Sequence, residues 1–339
     1  MERRDKLLSG LDLSVSRGVE IGPLNKPTVR KDEGAILYVD YTDTDSLRAK
    51  YEEDPTVNTE EIVEIDAVWG AQTLAECIGH QRVDYVVSSH VVEHVPDLIT
   101  WLEEIESILK PGGSLRLAVP DRRFTFDYLR RESRLCDIVN AYLLKSRTPL
   151  PIAILDYFLS VRRVDQQAAW NGKLPAELPR VPGHDLKGGM GVATDQIKNG
   201  TYHNIHCWVF TPRSFAELFA EAAAEGLIHF GCEAVYDTEP GQLEFFTVLK
   251  QCEDREQTAE SWRRAASSVV ELKSTSERNA ELNAAARAAA SDEILSLRLS
   301  LAQKEEELSG TKQTLASVLS SRSWRITELL RSLRSAFRR

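Results

Sequence analysis

Up to about residue 121, apolar runs of strand length alternate with segments whose apolar positions recur at helical spacing. The runs Gly18–Ile21, Ala35–Asp40, Ile62–Ala67, Val83–Ser89 and Ser114–Pro120 predict five strands, and the intervening segments give the rhythm of a parallel sheet. Ala71–Ile78, closed by Gly79, predicts a short helix. Leu98, Trp101, Leu102, Ile105, Ile108 and Leu109 predict a longer one, stopped by Lys110-Pro111-Gly112-Gly113. From Arg122 to Ile205 the strand signal disappears. Helical stretches at Phe124–Leu144 and Ile152–Val164 precede a Pro- and Gly-rich loop from Asn171 to Gly191. So long an insertion, residues 122–205, is expected to cover one end of the sheet as a helical lid. Thr211-Pro212 then caps a helix running to about Ala224. Leu227–Tyr236 and Leu243–Lys250, joined by Glu239-Pro240-Gly241-Gln242, read as a hairpin at the sheet edge. The expected fold class is therefore α/β, a doubly wound sheet of seven strands over residues 1–252.

After Cys252 the composition shifts to Ala, Glu, Arg, Ser and Leu. Ile294, Leu301, Leu308 and Leu315 are spaced by seven, with Leu297 and Val318 on the adjoining position, although Lys304 and Thr311 interrupt that second row. A helical stalk with a weak coiled-coil seam is expected over 253–318, offering a route to a homo-oligomer. The final segment, 319–339, carries six arginines against Glu328, a local net charge of +5. Trp324, Ile326, Leu329, Leu330, Leu333 and Phe337 can share one face, so a basic amphipathic helix is expected.

Charge and cysteine content narrow the function classes. A formal charge of −10 argues against nucleic acid as a partner, since neutralising phosphates needs clustered cations. The five cysteines are widely separated and form no C-x-x-C pair, which suggests neither a disulfide framework nor a zinc knuckle. The charged N-terminus leads into no stretch of signal-peptide length, and no window approaches a transmembrane span. A reducing cytoplasm is the simplest compartment.

The chemistry concentrates at the expected strand tips. Val19-Glu20-Ile21-Gly22-Pro23 ends the first strand and Tyr38-Val39-Asp40 ends the second, which places a carboxylate at each of two neighbouring tips where ribose hydroxyls could be held. Together with Ser88-Ser89-His90-Val91-Val92-Glu93-His94-Val95-Pro96-Asp97 and Leu109-Lys110-Pro111-Gly112-Gly113, these segments resemble the class I S-adenosylmethionine-dependent methyltransferases. The resemblance covers residues 18–121 by motif and extends to about 251 by strand order. It implies a Rossmann-like seven-stranded sheet and S-adenosyl-L-methionine as cofactor. By position it assigns the cofactor to Glu20, Gly22, Pro23 and Asp40, to Asp66 beside the adenine, and to Ser88, Ser89 and His90 near the sulfonium. The first loop departs from the family: Leu24 and Lys26 replace further glycines, and little room is left for a first crossover helix.

A hydroxyl acceptor benefits from a base, and the candidates are His203 and His206 in Tyr202-His203-Asn204-Ile205-His206-Cys207-Trp208, and His90 and His94 near the fourth strand. For His94 the alternative reading, capping or packing the helix that begins near Pro96, is preferred. No third ligand stands at suitable spacing from His203 and His206, so no metal is expected. Asp121, Arg122 and Arg123 follow the fifth strand and would suit a phosphate or carboxylate on the acceptor. The segment Ser321-Arg322-Ser323-Trp324-Arg325-Ile326-Thr327 resembles one that recurs at the ends of bacterial cell-surface polysaccharide enzymes. That likeness implies a sugar or glycan acceptor, while the tail's net charge and apolar face suit peripheral attachment to an anionic inner-membrane face, with a partner-binding or solvated helix as the alternative. Two other readings stand beside it: a nicotinamide-dependent oxidoreductase, and a non-catalytic scaffold that recruits glycan enzymes through its coil.

Overall fold

The computed structural model describes residues 1–269, 303–304, 307–324 and 327. In chain order the elements are α1 (Arg3–Leu7), β1 (Arg17–Ile21), β2 (Ala35–Asp40), α2 (Thr44–Lys50), β3 (Ala67–Val68), α3 (Leu74–Cys77), β4 (Val83–Ser89), α4 (Leu98–Ile108) and β5 (Leu109–Pro120). They continue as α5 (Leu135–Leu143), α6 (Pro151–Ser160), α7 (Gln166–Trp170), α8 (Leu186–Asn199), α9 (Pro212–Ala224), β6 (Phe230–Tyr236), β7 (Glu244–Gln251) and α10 (Arg255–Ser268).

The seven strands form one sheet in the order β3-β2-β1-β4-β5-β7-β6. β1 to β5 pair parallel, while β7 runs antiparallel between β5 and β6. The strand order reverses between β1 and β4, which opens a crevice at their carboxyl ends. The core strands are apolar on both faces, as a sheet covered on both sides requires: Val83, Tyr85, Val86 and Val87 of β4 are fully buried. α4 begins where the Asp97 carboxylate accepts from the Thr100 amide, and buries Leu98, Trp101, Leu102, Ile105 and Ile108.

Several expectations are corrected. The third strand is not Ile62–Ala67 but only Ala67–Val68, since Asp66 inside that run turns its carboxylate back to the Tyr38 amide. The helix expected over Ala71–Ile78 shortens to α3, whose capping box at Thr73 and Glu76 fixes its start. In the insertion, the stretch Phe124–Leu144 is helical only over α5, and part of the loop expected at 171–191 belongs to α8. The first compact unit also runs past residue 252, because α10 packs on α9 and β6. Trp262 is 0% exposed, lies against Phe219 with ring centroids 4.9 Å apart, and donates its indole N–H to Phe230 O at 2.6 Å.

In the second unit, residues 307–320 are helical and Leu308, Leu315 and Val318 are exposed. Ile294, Leu297 and Leu301 of the expected heptad, and most of the tail, lie outside the described residues. Among the described residues no helix is long and apolar enough to cross a membrane.

Removing the Trp262 ring leaves a cavity and an unpaired carbonyl. Trp262→Ala should lower unfolding stability by about 3–5 kcal/mol, read as a shift of the urea midpoint at unchanged slope. A chain ending at residue 252 should unfold at lower urea than one ending at residue 269; equal midpoints would make α10 an appendage.

Candidate active site

The carboxyl ends of β1, β2 and β4 open into a cavity of about 1770 Å³. Its floor begins with the loop after β1. Gly22 sits at φ +70° and its amide donates to Val39 O at 2.9 Å; a Cβ there would meet Val91 Cγ2 at 2.7 Å, so only glycine lets the chain turn here. Residues 22–34 contain no helix. In its place the Glu20 carboxylate accepts from the amides of Thr28 and Val29, at 2.6 and 3.1 Å, and staples the loop to β1. Burial raises the Glu20 pKa against the pull of those donors. Glu20 borders the cavity but its oxygens are committed to the loop, which corrects its expected role on the ribose.

Asp40 differs. It is 6% exposed, borders the cavity, and among the described residues its carboxylate accepts one hydrogen bond, from the Tyr41 amide at 2.8 Å. Burial pushes its pKa up to about 6, partly offset by that bond and by Lys50. Asp66, expected beside the adenine, is outside the cavity wall: one oxygen accepts from the Tyr38 amide at 2.8 Å and the other from Lys31 at 2.6 Å. Trp69 and Gly70 border the cavity instead. Pro23 also lines it.

At the end of β4, Ser88 is 1% exposed, outside the cavity wall, and corrected as a cofactor contact, whereas Ser89 and His90 line it. Ser89 Oγ accepts from Arg3, and Arg3 Nε also pairs with Glu244 at 2.7 Å. His90 has φ +54°, an uncommon backbone state for a side-chain-bearing residue. Its Nε2 bonds Glu244 Oε2 at 2.8 Å; although burial opposes protonation, that bond and the charge on Glu93 raise its pKa.

The lid supplies the far wall through Tyr142, Lys145, Arg147, Tyr202 and Asn204. His203 and His206, expected as bases, do not line the cavity. His203 pairs with Asp195 of α8 at 2.9 Å. His206 is 7% exposed behind the wall, where its Nδ1 bonds Asp127 at 2.6 Å and its Nε2 lies 3.9 Å from Glu93. Burial, reinforced by His206, pushes His94 down to about 3, so this imidazole stays neutral. Sequence reasoning passed over Glu93 and treated His94 as packing, yet Glu93, His94 and His206 converge with donor atoms within 4.8 Å of one another. The third donor that chain spacing did not offer beside His206 is supplied across the fold, and the visible signal was a Glu-His pair three residues after His90.

Asp121, Arg122 and Arg123 are also corrected. Asp121 is 0% exposed and accepts from Arg123 Nη2 at 2.6 Å and Thr238 Oγ1 at 2.7 Å, while Arg122 Nε donates to Arg130 O. None of the three lines the cavity; the ion pair fastens the exit of β5 to the residues that follow β6.

An adenosyl ligand carrying no phosphate fits these residues. Asp40 keeps acceptor capacity for a sugar diol, Gly22 permits close backbone approach, and Tyr41 and Trp69 add aromatic walls. A dinucleotide would need a helix N-terminus at the first loop for its diphosphate, which residues 22–34 do not provide.

A family model described as a methyltransferase domain matches residues 18–226. No curated protein matches the chain. Solved structures with some likeness include an S-adenosylmethionine-dependent methyltransferase from Mesorhizobium loti, at 13% identity over 71% of this chain and 93% of that one, TM-score 0.34. One from Aquifex aeolicus has 9% identity over 74% and 89%, TM-score 0.33. The CurJ carbon methyltransferase has 12% identity over 72% of this chain, TM-score 0.33, and the chain spans about half of it, 51%. On the family match over 18–226, the chain belongs to the methyltransferase-domain family, and S-adenosylmethionine is its cofactor.

Proposed function

We propose that this protein methylates a hydroxyl of a sugar or glycan end during assembly of a bacterial surface polysaccharide. The observation that carries the reading is one continuous cavity of about 1770 Å³ with an adenosine-binding end at Asp40 and a polar, partly cationic end at the lid. A single small-molecule site occupies roughly 300–1,000 Å³, so there is room for cofactor and acceptor together. Tyr202 and Asn204 suit hydroxyl groups, and Lys145 and Arg147 suit an anionic substituent. Methyl transfer from a sulfonium needs little proton transfer, because the leaving thioether departs neutral. Alignment of acceptor and methyl carbon contributes about 7–11 kcal/mol in well-oriented cases. The Ser321–Thr327 resemblance supports the glycan assignment, and the tail's charge supports a place at an anionic membrane surface on the cytoplasmic side. The exposed Leu308, Leu315 and Val318 are consistent with self-association through the stalk.

A charged hydrogen bond contributes about 1.5–3 kcal/mol, so Asp40→Ala should weaken S-adenosylmethionine binding roughly 10- to 150-fold by calorimetry. Since the free-enzyme Asp40 pKa is about 6, its acceptor form is lost as pH falls through that value, and affinity should drop below pH 6. Asp40→Asn should bind weakly with that step removed; an unchanged step would assign it to another group.

Surface glycan from cells expressing only the Asp40→Ala chain should lack methyl-ether signals by mass spectrometry. Unchanged methyl content would count against the glycan acceptor.

Each basic residue near an anionic leaflet contributes about 1 kcal/mol. The full chain should therefore sediment with phosphatidylserine-containing vesicles at low salt, and a chain lacking 319–339 should not. Equal sedimentation of both would remove the tail's membrane role.

A further inference from the structure

Glu93 is 0% exposed, and neither oxygen of its carboxylate has a hydrogen-bond partner among the described residues. Three imidazole nitrogens surround its Oε1: His90 Nδ1 at 3.6 Å, His94 Nε2 at 3.9 Å and His206 Nε2 at 3.9 Å. Each ring is held from behind. His90 Nε2 bonds Glu244 at 2.8 Å, His94 Nδ1 bonds Ile205 O at 3.0 Å, and His206 Nδ1 bonds Asp127 at 2.6 Å. All three of those partners are acceptors, and a neutral imidazole carries one N–H. His94 is neutral, so its proton sits on Nδ1 toward Ile205 O and its Nε2 lone pair faces Glu93; a neutral His206, with its proton on Nδ1 toward Asp127, presents its Nε2 in the same way, whereas His90 lies between the Glu93 and Glu244 carboxylates as their cationic partner.

Two imidazole nitrogens and the carboxylate thus converge, their donor atoms within 4.8 Å of one another. The separations are too long for hydrogen bonds. The 3.9 Å from Glu93 Oε1 to His94 Nε2 and to His206 Nε2 is a few tenths of an ångström above the edge of a ligand tetrahedron, whose donors about 2.0–2.2 Å from the ion lie roughly 3.3–3.6 Å apart. The carboxylate or carbonyl behind each ring is the outer-shell arrangement that fixes the tautomer of metal-binding histidines. Two chain segments build the cluster: the turn before α4 supplies Glu93 and His94, and the chain returning from the lid to the sheet supplies His206, with His90, directly after β4, beside them. The Glu93 carbonyl also accepts from the Cys207 and Trp208 amides at 2.6 and 3.1 Å, which ties one segment to the other.

We propose that Glu93, His94 and His206 bind one divalent first-row transition ion, with zinc best suited to two imidazoles and one carboxylate, in the wall of the cofactor cavity. Hard magnesium, which prefers oxygen donors and water, does not suit this set. Three protein donors leave a fourth position open, and His94 lines the cavity, so that position is on the side of the space assigned to the acceptor. There it holds and polarises an acceptor oxygen; this role, unlike the site itself, rests on the proposed acceptor.

The test uses the full chain, stripped with a chelator and titrated calorimetrically with zinc. Visible d–d absorption on adding cobalt(II) provides the second readout. One ion per chain and a tetrahedral cobalt spectrum are expected, with millimolar magnesium failing to compete. His206→Gln should weaken binding at least tenfold, and Glu93→Gln, with its buried charge removed, should do so while unfolding no earlier than the wild type. Asp40→Ala should bind the ion normally while losing cofactor. No ion bound, or wild-type affinity in His206→Gln and Glu93→Gln, would overturn the site. Normal methyl transfer by the ion-free protein would overturn its role toward the acceptor and leave the site standing. Loss of the glycan result alone would touch neither measurement of ion binding.

Discussion

How many internal donors each buried carboxylate finds at the strand tips decides what this molecule does there. Glu20 lies near the end of β1, Asp40 ends β2 and Glu93 follows β4, and all three are nearly excluded from solvent. Burying a carboxylate is costly unless hydrogen bonds or a counter-charge replace its water. Glu20 receives two backbone amides and is spent on structure. Asp40 receives one and keeps acceptor capacity for a ligand, while Glu93 receives none at its side chain and is left among imidazole lone pairs. The same side-chain chemistry thus yields a loop staple, a cofactor contact and a candidate ion ligand, by graded satisfaction alone.

The staple answers a topological shortage. The chain passes from β1 to the neighbouring parallel β2 through residues 22–34 without a helix, so the loop needs another anchor. Two amides on one buried carboxylate provide it, and Tyr38 Oη on Val29 O at 2.7 Å provides a second. The floor of the cavity is therefore fixed before any ligand arrives, which lowers the ordering cost of binding.

Much of the sheet was legible because its signal is local. β1, β2, β4, α4 and α9 follow their periodicities and caps within a residue or two. α8 was not legible, since Gly188, Gly189 and Gly191 read as loop. In the fold Gly188 and Gly189 sit against Phe158 of α6, with a built Cβ on Gly189 3.0 Å from that side chain, so small residues are what allow the two helices to approach. α10 was hidden for the opposite reason. Its Ala, Glu and Arg composition continues that of the stalk, and only the burial of Trp262, Ala259 and Ala265 separates them. In the site, sequence showed which residues carry charge but not what they face. Asp66 and Asp121 look like ligand acids until their partners arrive, Tyr38 and Lys31 for one, Thr238 for the other, all set by tertiary packing.

The same limit explains why His206 was read as a base and Glu93 was passed over. A base must reach its substrate, and His206 sits behind the wall with its Nδ1 committed to Asp127, itself paired with Arg130 at 3.0 Å. Such a ring can act on the cavity only through something between them. Glu93 and His94 are what lies between, and both precede α4 in a turn whose backbone is tied to the lid at Cys207 and Trp208. The chain returning from the lid is thereby tied to the turn after β4 by backbone hydrogen bonds, beside the surface bond from Tyr202 Oη to the His94 carbonyl. The same segment carries Tyr202 and Asn204 into the cavity, four and two residues before His206.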